Sequence, residues 1–239
     1  MLALRTTLNY LLPRHCHLCG DVCKESVCAA CARDFLHINP CRCPICGIEL
    51  NLIDARNICG QCLKKTPYFD QTIVATDYLP PADELVHRLK FGHQLSIASM
   101  MADLLRDAVI ERYAGELPSL LAPVPLGPSR LRERGFNQAQ EITRVLAPQL
   151  GIDLAPRLLL RLRDTLPQSS LPFQQRQANT RNVFVCNLEL LPRIDGQHIA
   201  LVDDVMTTGT TLNEIAKVLK RHGARQVSNF VFARTPRHA

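Results

Sequence analysis

Ten of the eleven cysteines of this 239-residue chain fall between Cys16 and Cys62, and that crowding limits what the first quarter can fold into. Eight of them form four CxxC pairs: Cys16/Cys19, Cys28/Cys31, Cys43/Cys46 and Cys59/Cys62. A CxxC turn presents two thiolates on one edge of a tight knuckle, and a second knuckle completes the sulfur tetrahedron that zinc favours. Four pairs make two sites. Consecutive pairing gives Cys16, Cys19, Cys28 and Cys31 for one zinc and Cys43, Cys46, Cys59 and Cys62 for the other. An interleaved set joining Cys28/Cys31 to Cys43/Cys46 fits the same spacing. Gly20 and Gly47 follow knuckles and Gly60 lies within the Cys59/Cys62 one, positions where a residue free to take φ > 0 is expected. Four thiolates close each site, so both zincs read as structural staples for a segment too short to build its own core. The functional reading of the same spacing is a nucleic-acid-binding ribbon. Cys23 and Cys41 are spare.

Disulfides would compete with metal in an exported chain. The N-terminal "MLALRTTLNYLLPRHC" lacks the charged start, long apolar centre and small-residue cleavage site of a signal peptide. A cytoplasmic location is therefore expected, with Leu4, Leu8, Leu11 and Leu12 on one face of a short amphipathic helix. No stretch approaches the roughly 20 apolar residues of a membrane span, so no membrane insertion is expected.

Beyond Thr66 the cysteines nearly vanish and the pattern alternates between strand and helix. "QTIVATDYL" reads as a strand, "ADELVHRLKFG" and "LSIASMMADLLRDAVIERYA" as helices, "SLLAPVPLG" as a short strand ended by prolines, and "NQAQEITRVLAPQLG" as a helix closed by Gly151. A polar, arginine-bearing connection of some twenty residues then leads to the strand "VFVC". So long a connection inside a compact domain is usually functional. The last unit is strand "HIALV", loop, helix "TLNEIAKVLKRHG" and strand "VSNFVFA", a βαβ unit with a parallel sheet and a ligand crevice at the carboxyl ends of its strands. The expected division is residues 1–65, helix and double zinc ribbon, and residues 66–239, an α/β domain.

The net charge of +6 is uneven: residues 120–182 carry nine arginines against four acids, whereas residues 66–119 carry four basic and eight acidic residues. Anion handling therefore points to the middle of the chain.

The segment "IALVDDVMTTGTTL" carries the most chemistry. Asp203 and Asp204 end an apolar strand and are expected to project into the crevice. Met206, Thr207, Thr208, Gly209, Thr210 and Thr211 follow at a helix N-terminus, offering backbone N–H groups, hydroxyls and a glycine that permits close approach. That is a phosphate cradle. Two carboxylates beside it would repel further phosphate but suit ribose hydroxyls, directly or through a magnesium ion. A Walker-type nucleotide hydrolase is excluded by the lack of a GxxxxGK[ST] loop.

"ALVDDVMTTGTTL" resembles the phosphoribosyl pyrophosphate (PRPP) signature of type I phosphoribosyltransferases. "LLPRHCHLCG", "RLKFGHQ", "PVPLGPSRLRERGFNQAQEI" and "TLPQSSLPFQQRQANTRNVF" are similar to motifs of one branch, the competence-associated ComF family. The resemblance spans nearly the whole chain. It implies a type I phosphoribosyltransferase fold behind the double zinc ribbon, zinc and magnesium as metals, and PRPP as ligand. It also implies a pyrophosphate loop at residues 124–127, with Val124, Arg130 and Arg134 as contacts, and a closing loop at residues 163–182 that brings Gln168, Arg176, Asn179 and Arg181. Asp203, Asp204 and Arg176 are then the residues expected to carry the chemistry.

Two functions follow from the resemblance. One is a PRPP-binding phosphoribosyltransferase-like protein that acts with single-stranded DNA and the DNA-uptake machinery during transformation. The other is a phosphoribosyltransferase of nucleotide salvage with no DNA role. Trp is absent and few aromatics flank the basic middle, so the stacking platforms usual in single-strand binding are scarce.

Overall fold

The structure, a computed structural model, describes residues 14–36, 41–50, 58–163 and 183–236. The expected N-terminal helix and the loop residues Gln168, Arg176, Asn179 and Arg181 lie outside them. The chain begins with an antiparallel pair, β1 (Arg14–His15) and β2 (Val22–Cys23), then α1 (Ala29–Phe35) and α2 (Gly60–Lys64). There follow β3 (Gln71–Asp77), α3 (Ala82–Gly92), α4 (Ser96–Arg112), β4 (Leu120–Pro123), α5 (Pro128–Arg134), α6 (Gln138–Leu150), β5 (Asp153–Leu154), β6 (Leu159–Arg161) and β7 (Phe184–Cys186). A 3-10 turn (Leu188–Arg193) leads to β8 (His198–Met206), α7 (Thr210–Arg221) and β9 (Gln226–Arg234).

Five strands form one parallel sheet in the order β3-β9-β8-β4-β5. Ala200, Val202, Phe230 and Phe232 pack on one face with Leu85, Ile97, Leu105 and Ile142 from α3, α4 and α6. Ile199, Leu201, Val227 and Val231 pack on the other with Leu212, Ile215 and Leu219 of α7 and with Ile48 and Leu50 of the cysteine-rich segment. Burial on both faces is why these strands read as continuous apolar runs. Among the described residues no helix is long and apolar enough to cross a membrane.

Three expectations change. The strand expected to end at the aspartates runs through them to Met206, with Asp203 opposite Val231 and Met206 opposite Arg234 of β9. Residues 128–134 are helical: Pro128 sits at the first position and Gly135, at φ 77°, ends it. "VFVC" pairs antiparallel with β6, away from the main sheet.

The cysteine-rich segment is docked, not tethered. Thr72 of edge strand β3 donates its N–H to Pro44 O at 2.9 Å and its hydroxyl to Ile45 O at 2.6 Å. A Cβ on Gly47 would stand 2.5 Å from a Val74 methyl, so the knuckle lies directly on the strand. Ser26 anchors the first half by donating to Asp103 Oδ2 of α4 at 2.6 Å.

Candidate functional site

The cysteines group as Cys16, Cys19, Cys28, Cys31 and as Cys43, Cys46, Cys59, Cys62, with the ligand atoms of each set within 4.8 Å of one another. This is the consecutive pairing; the interleaved one is ruled out. The two halves repeat each other. Cys28 N donates to Cys16 Sγ at 3.4 Å and Cys59 N to Cys43 Sγ at 3.4 Å. Gly20 N and Gly47 N close the knuckles onto Cys16 O and Cys43 O at 2.9 and 2.8 Å. Zinc at ~2.3 Å from four tetrahedral sulfurs sets them ~3.8 Å apart, and Cys19–Cys28 and Cys46–Cys59 stand at 3.8 and 3.6 Å. Both donor sets fit zinc.

The second centre lies at the carboxyl end of β8. Side chains alternate along a strand. Asp204 thus continues the face of Ala200 and Val202, and Asp203 that of Ile199 and Leu201. The Asp203 side chain nevertheless turns back toward its neighbour, its Oδ1 accepting from Asp204 N at 2.9 Å, and the two carboxyls interact directly at the strand end. Asp204 is 3% exposed and carries an ion pair to Lys90 Nζ of α3 at 2.5 Å. Gln138 Nε2 of α6 approaches its other oxygen at 3.4 Å, and Arg134 donates to Gln138 Oε1 at 2.5 Å while lying 5.4 Å over the Phe91 ring. Lys90, Asp204, Gln138 and Arg134 thus form one chain of contacts, with the charge of Arg130 close enough to act on Arg134.

Burial opposes the charge on Asp204, but the Lys90 ammonium, with hydrogen bonds from Lys90, Asp203 and Gln138, holds the carboxyl below its usual range. Asp203 goes the other way. Burial and then the neighbouring Asp204 charge push its carboxyl well above the ordinary value. Lys90 thus favours the charged form of Asp204, whereas the surroundings of Asp203 favour its neutral form.

Residues 207–211 connect this strand to α7. Gly209 has φ 77° and ends the loop at the helix N-cap; it is buried, and a Cβ there would meet the Met206 methyl at 2.5 Å. With no side chain at the cap, the helix start faces whatever the loop binds. Thr207 and Thr208 are exposed, and the Thr208 and Thr210 hydroxyls lie 2.8 Å apart.

On the neighbouring strand, Val124 N is spent inside the sheet, donating to Val202 O at 2.9 Å. Its N–H is therefore not a phosphate donor, and because Pro123, Pro125 and Pro128 have none, Leu126 and Gly127 remain as the donors of that loop. Arg130 and Arg134 lie on α5 immediately after it.

Sequence reasoning missed Gln138 and Arg234. Gln138 follows the helix cap Asn137, where no pattern marks its inward turn. Arg234 ends β9, is 7% exposed, and donates to the carbonyls of Met206 and Cys46, each at 3.1 Å, and of Thr207. A single arginine closing an apolar strand was the available signal.

A family model for the phosphoribosyl transferase domain matches residues 132–239, and one for the double zinc ribbon domain matches residues 7–66. The DNA utilization protein YhgH of Salmonella typhimurium is 37% identical over 230 residues, 94% of this chain and 98% of that one. Competence protein F of Haemophilus influenzae is 32% identical over 223 residues, 92% of this chain and 95% of that one. Likeness to solved structures is looser: the allosteric regulatory enzyme of purine biosynthesis matches at 19% identity over 56% of this chain and 26% of that one, with a TM-score of 0.35. The assignment therefore rests on the family models, the full-length relatives and the parallel sheet. The chain belongs to the ComF family, a double zinc ribbon followed by a domain of the type I phosphoribosyltransferase fold.

Proposed function

We propose that the chain binds PRPP at the carboxyl end of β8 and acts as a phosphoribosyltransferase-like protein in the handling of single-stranded DNA during transformation. The observation that carries the reading is the order of elements at the end of β8: two acids near the end of the strand, then a loop whose buried Gly209 caps the α7 N-terminus in the left-handed conformation. A ribose 5-phosphate has hydroxyls at one edge and phosphate at the other, and it fits both halves. The N–H groups of residues 208–211 hold the 5-phosphate and Asp203 accepts from a ribose hydroxyl. Leu126 N, Gly127 N and Arg130 take the diphosphate.

Magnesium fits Asp203, because a cation there relieves the repulsion from Asp204, and when bound it supplies positive charge to the diphosphate. Asp204 is already matched by Lys90 and keeps that ammonium in place. Departure of diphosphate from C1′ leaves positive charge on the ribose ring and negative charge on the leaving group. Arg130, with Arg134 behind it, stabilises the latter. The acceptor supplies the electron pair that forms the new bond to C1′.

Calorimetry with PRPP and magnesium tests the reading. Micromolar binding that Asp203→Asn removes supports it, and no heat with the wild-type chain defeats it. A screen of acceptors for pyrophosphate release then separates an enzyme from a PRPP-gripping module. The names of the relatives direct the DNA arm. Binding to labelled single strands should weaken steeply with salt as arginine–phosphate contacts release counterions. Release of pyrophosphate with a free base, and no single-strand binding, would favour nucleotide salvage instead.

A further inference from the structure

Cys46 is at once a ligand of the second cysteine cluster and, through its backbone carbonyl, a partner of Arg234. The same guanidinium donates to Met206 O at 3.1 Å and to Thr207 O, the two residues that enter the phosphate loop, and to Thr235 O at 2.9 Å. Register reinforces the link. Arg234 pairs with Met206 across β8 and β9, and Thr235 N returns to Met206 O at 3.0 Å. A planar guanidinium offers five donors in a fixed fork, so it can hold acceptors from two segments in one geometry where an ammonium cannot.

The residues that follow Cys62 also reach the loop and α7. A Cβ on Gly209 would come within 3.8 Å of the Phe69 ring, and Tyr68 N donates to Asn213 Oδ1 of α7 at 2.7 Å. A cavity of about 330 Å³ lies between the two parts, walled by Cys46 and Cys62 on one side and by Thr208, Gly209 and Asn213 on the other. The first cluster has a different anchorage, on α4 and α3: Ser26 bonds Asp103, and Arg88 donates to His17 O at 3.3 Å.

We propose that Arg234 is a positioning residue that couples the second zinc site to the phosphate loop, so that metal on Cys43, Cys46, Cys59 and Cys62 sets the loop's order and its grip on the donor phosphate. The part concerning the donor rests on the proposed PRPP reading; the coupling does not. Metal fixes the backbone at Cys46, Cys46 O fixes the guanidinium, and the guanidinium fixes Met206 and Thr207 at the mouth of the loop.

Hydrogen exchange on the full-length zinc-loaded chain, without ligand, reads the coupling directly. Arg234→Lys should keep two zincs per chain and leave exchange in α6 unchanged, while amides 207–211 exchange at least tenfold faster. Cys46→Ser should retain one zinc and show the same local loss. The double variant should exchange no faster than the faster single one, because both break one link. Rates at 207–211 within twofold of wild type in Arg234→Lys, or additive effects in the double variant, would overturn the proposal. If Cys46→Ser does not accumulate as a folded chain, chelator titration of the wild type replaces it, with the same tenfold rise expected as zinc leaves. Calorimetry with PRPP and magnesium is the second arm, with affinity expected to fall at least tenfold in Arg234→Lys. If the wild type itself binds no PRPP, the donor reading fails while the exchange result still decides the coupling.

Discussion

Lys90 Nζ stands 2.5 Å from Asp204 Oδ2, with the two side chains 22% and 4% exposed. The second acid of the signature is thus satisfied from within the protein, by a lysine more than a hundred residues earlier. The two aspartates, adjacent in sequence, have different electrostatic lives.

Lys90→Met should therefore be costly in stability. Removing one partner leaves Asp204 buried and charged, a change worth about 3–5 kcal/mol for buried pairs. Urea unfolding at pH 7 measures it, and adding Asp204→Asn to Lys90→Met should recover part of the loss.

The pair also predicts opposite pH behaviour. Asp203 is raised in the folded chain, so its favourable contribution is full below the unfolded value of about 3.9 and is lost as pH rises through the folded one. Asp203→Asn should then stabilise the chain at pH 7 and do nothing at pH 3. Asp204 is lowered, so its contribution is present above about 3.9 and is lost as pH falls through the folded value. Asp204→Asn should destabilise at pH 7. Unfolding curves at pH 3, 5 and 7 check both signs.

Gly209→Ala should damage the loop more than the fold. The left-handed backbone costs an alanine about 1–2 kcal/mol, and the Met206 methyl must also move aside from 2.5 Å. Calorimetry should show weaker PRPP binding, and circular dichroism a retained helix and sheet content. A variant that binds like the wild type would remove the loop from the phosphate site.

Metal analysis of the purified chain should return about two zincs, since each cluster offers four thiolates. Cys59→Ser should lower that to about one. One zinc or none in the wild type would contradict two independent sites.

Much of this was legible from local pattern. Helices α3 and α6 emerged at their expected places because their apolar stripes and terminal signals agree: Gly151 takes the left-handed C-cap at φ 67°. The loop that leads into α7 was legible because Gly209 and its threonines are one contiguous motif. Helix α5 was missed although Pro128 and Gly135 mark its ends, since a seven-residue amphiphile with no buried residue leaves no apolar stripe. The β6–β7 pair was missed because pairing between Leu160 and Val185 depends on a contact that spacing does not record.

By itself the sequence determined which chemical groups stand together: eight thiolates in four knuckles, and two acids beside a glycine–threonine loop. These are chemistries of contiguous residues, so order along the chain suffices. Only the tertiary structure decided how those groups divide their work. The packing of α3 beside β8 brings Lys90 to Asp204, the register of β8 with β9 brings Arg234 to Met206, and the docking of a knuckle on β3 brings Cys46 to Arg234. Each of these depends on which distant segments share a face of the sheet, and that is settled by packing rather than by any local run of residues.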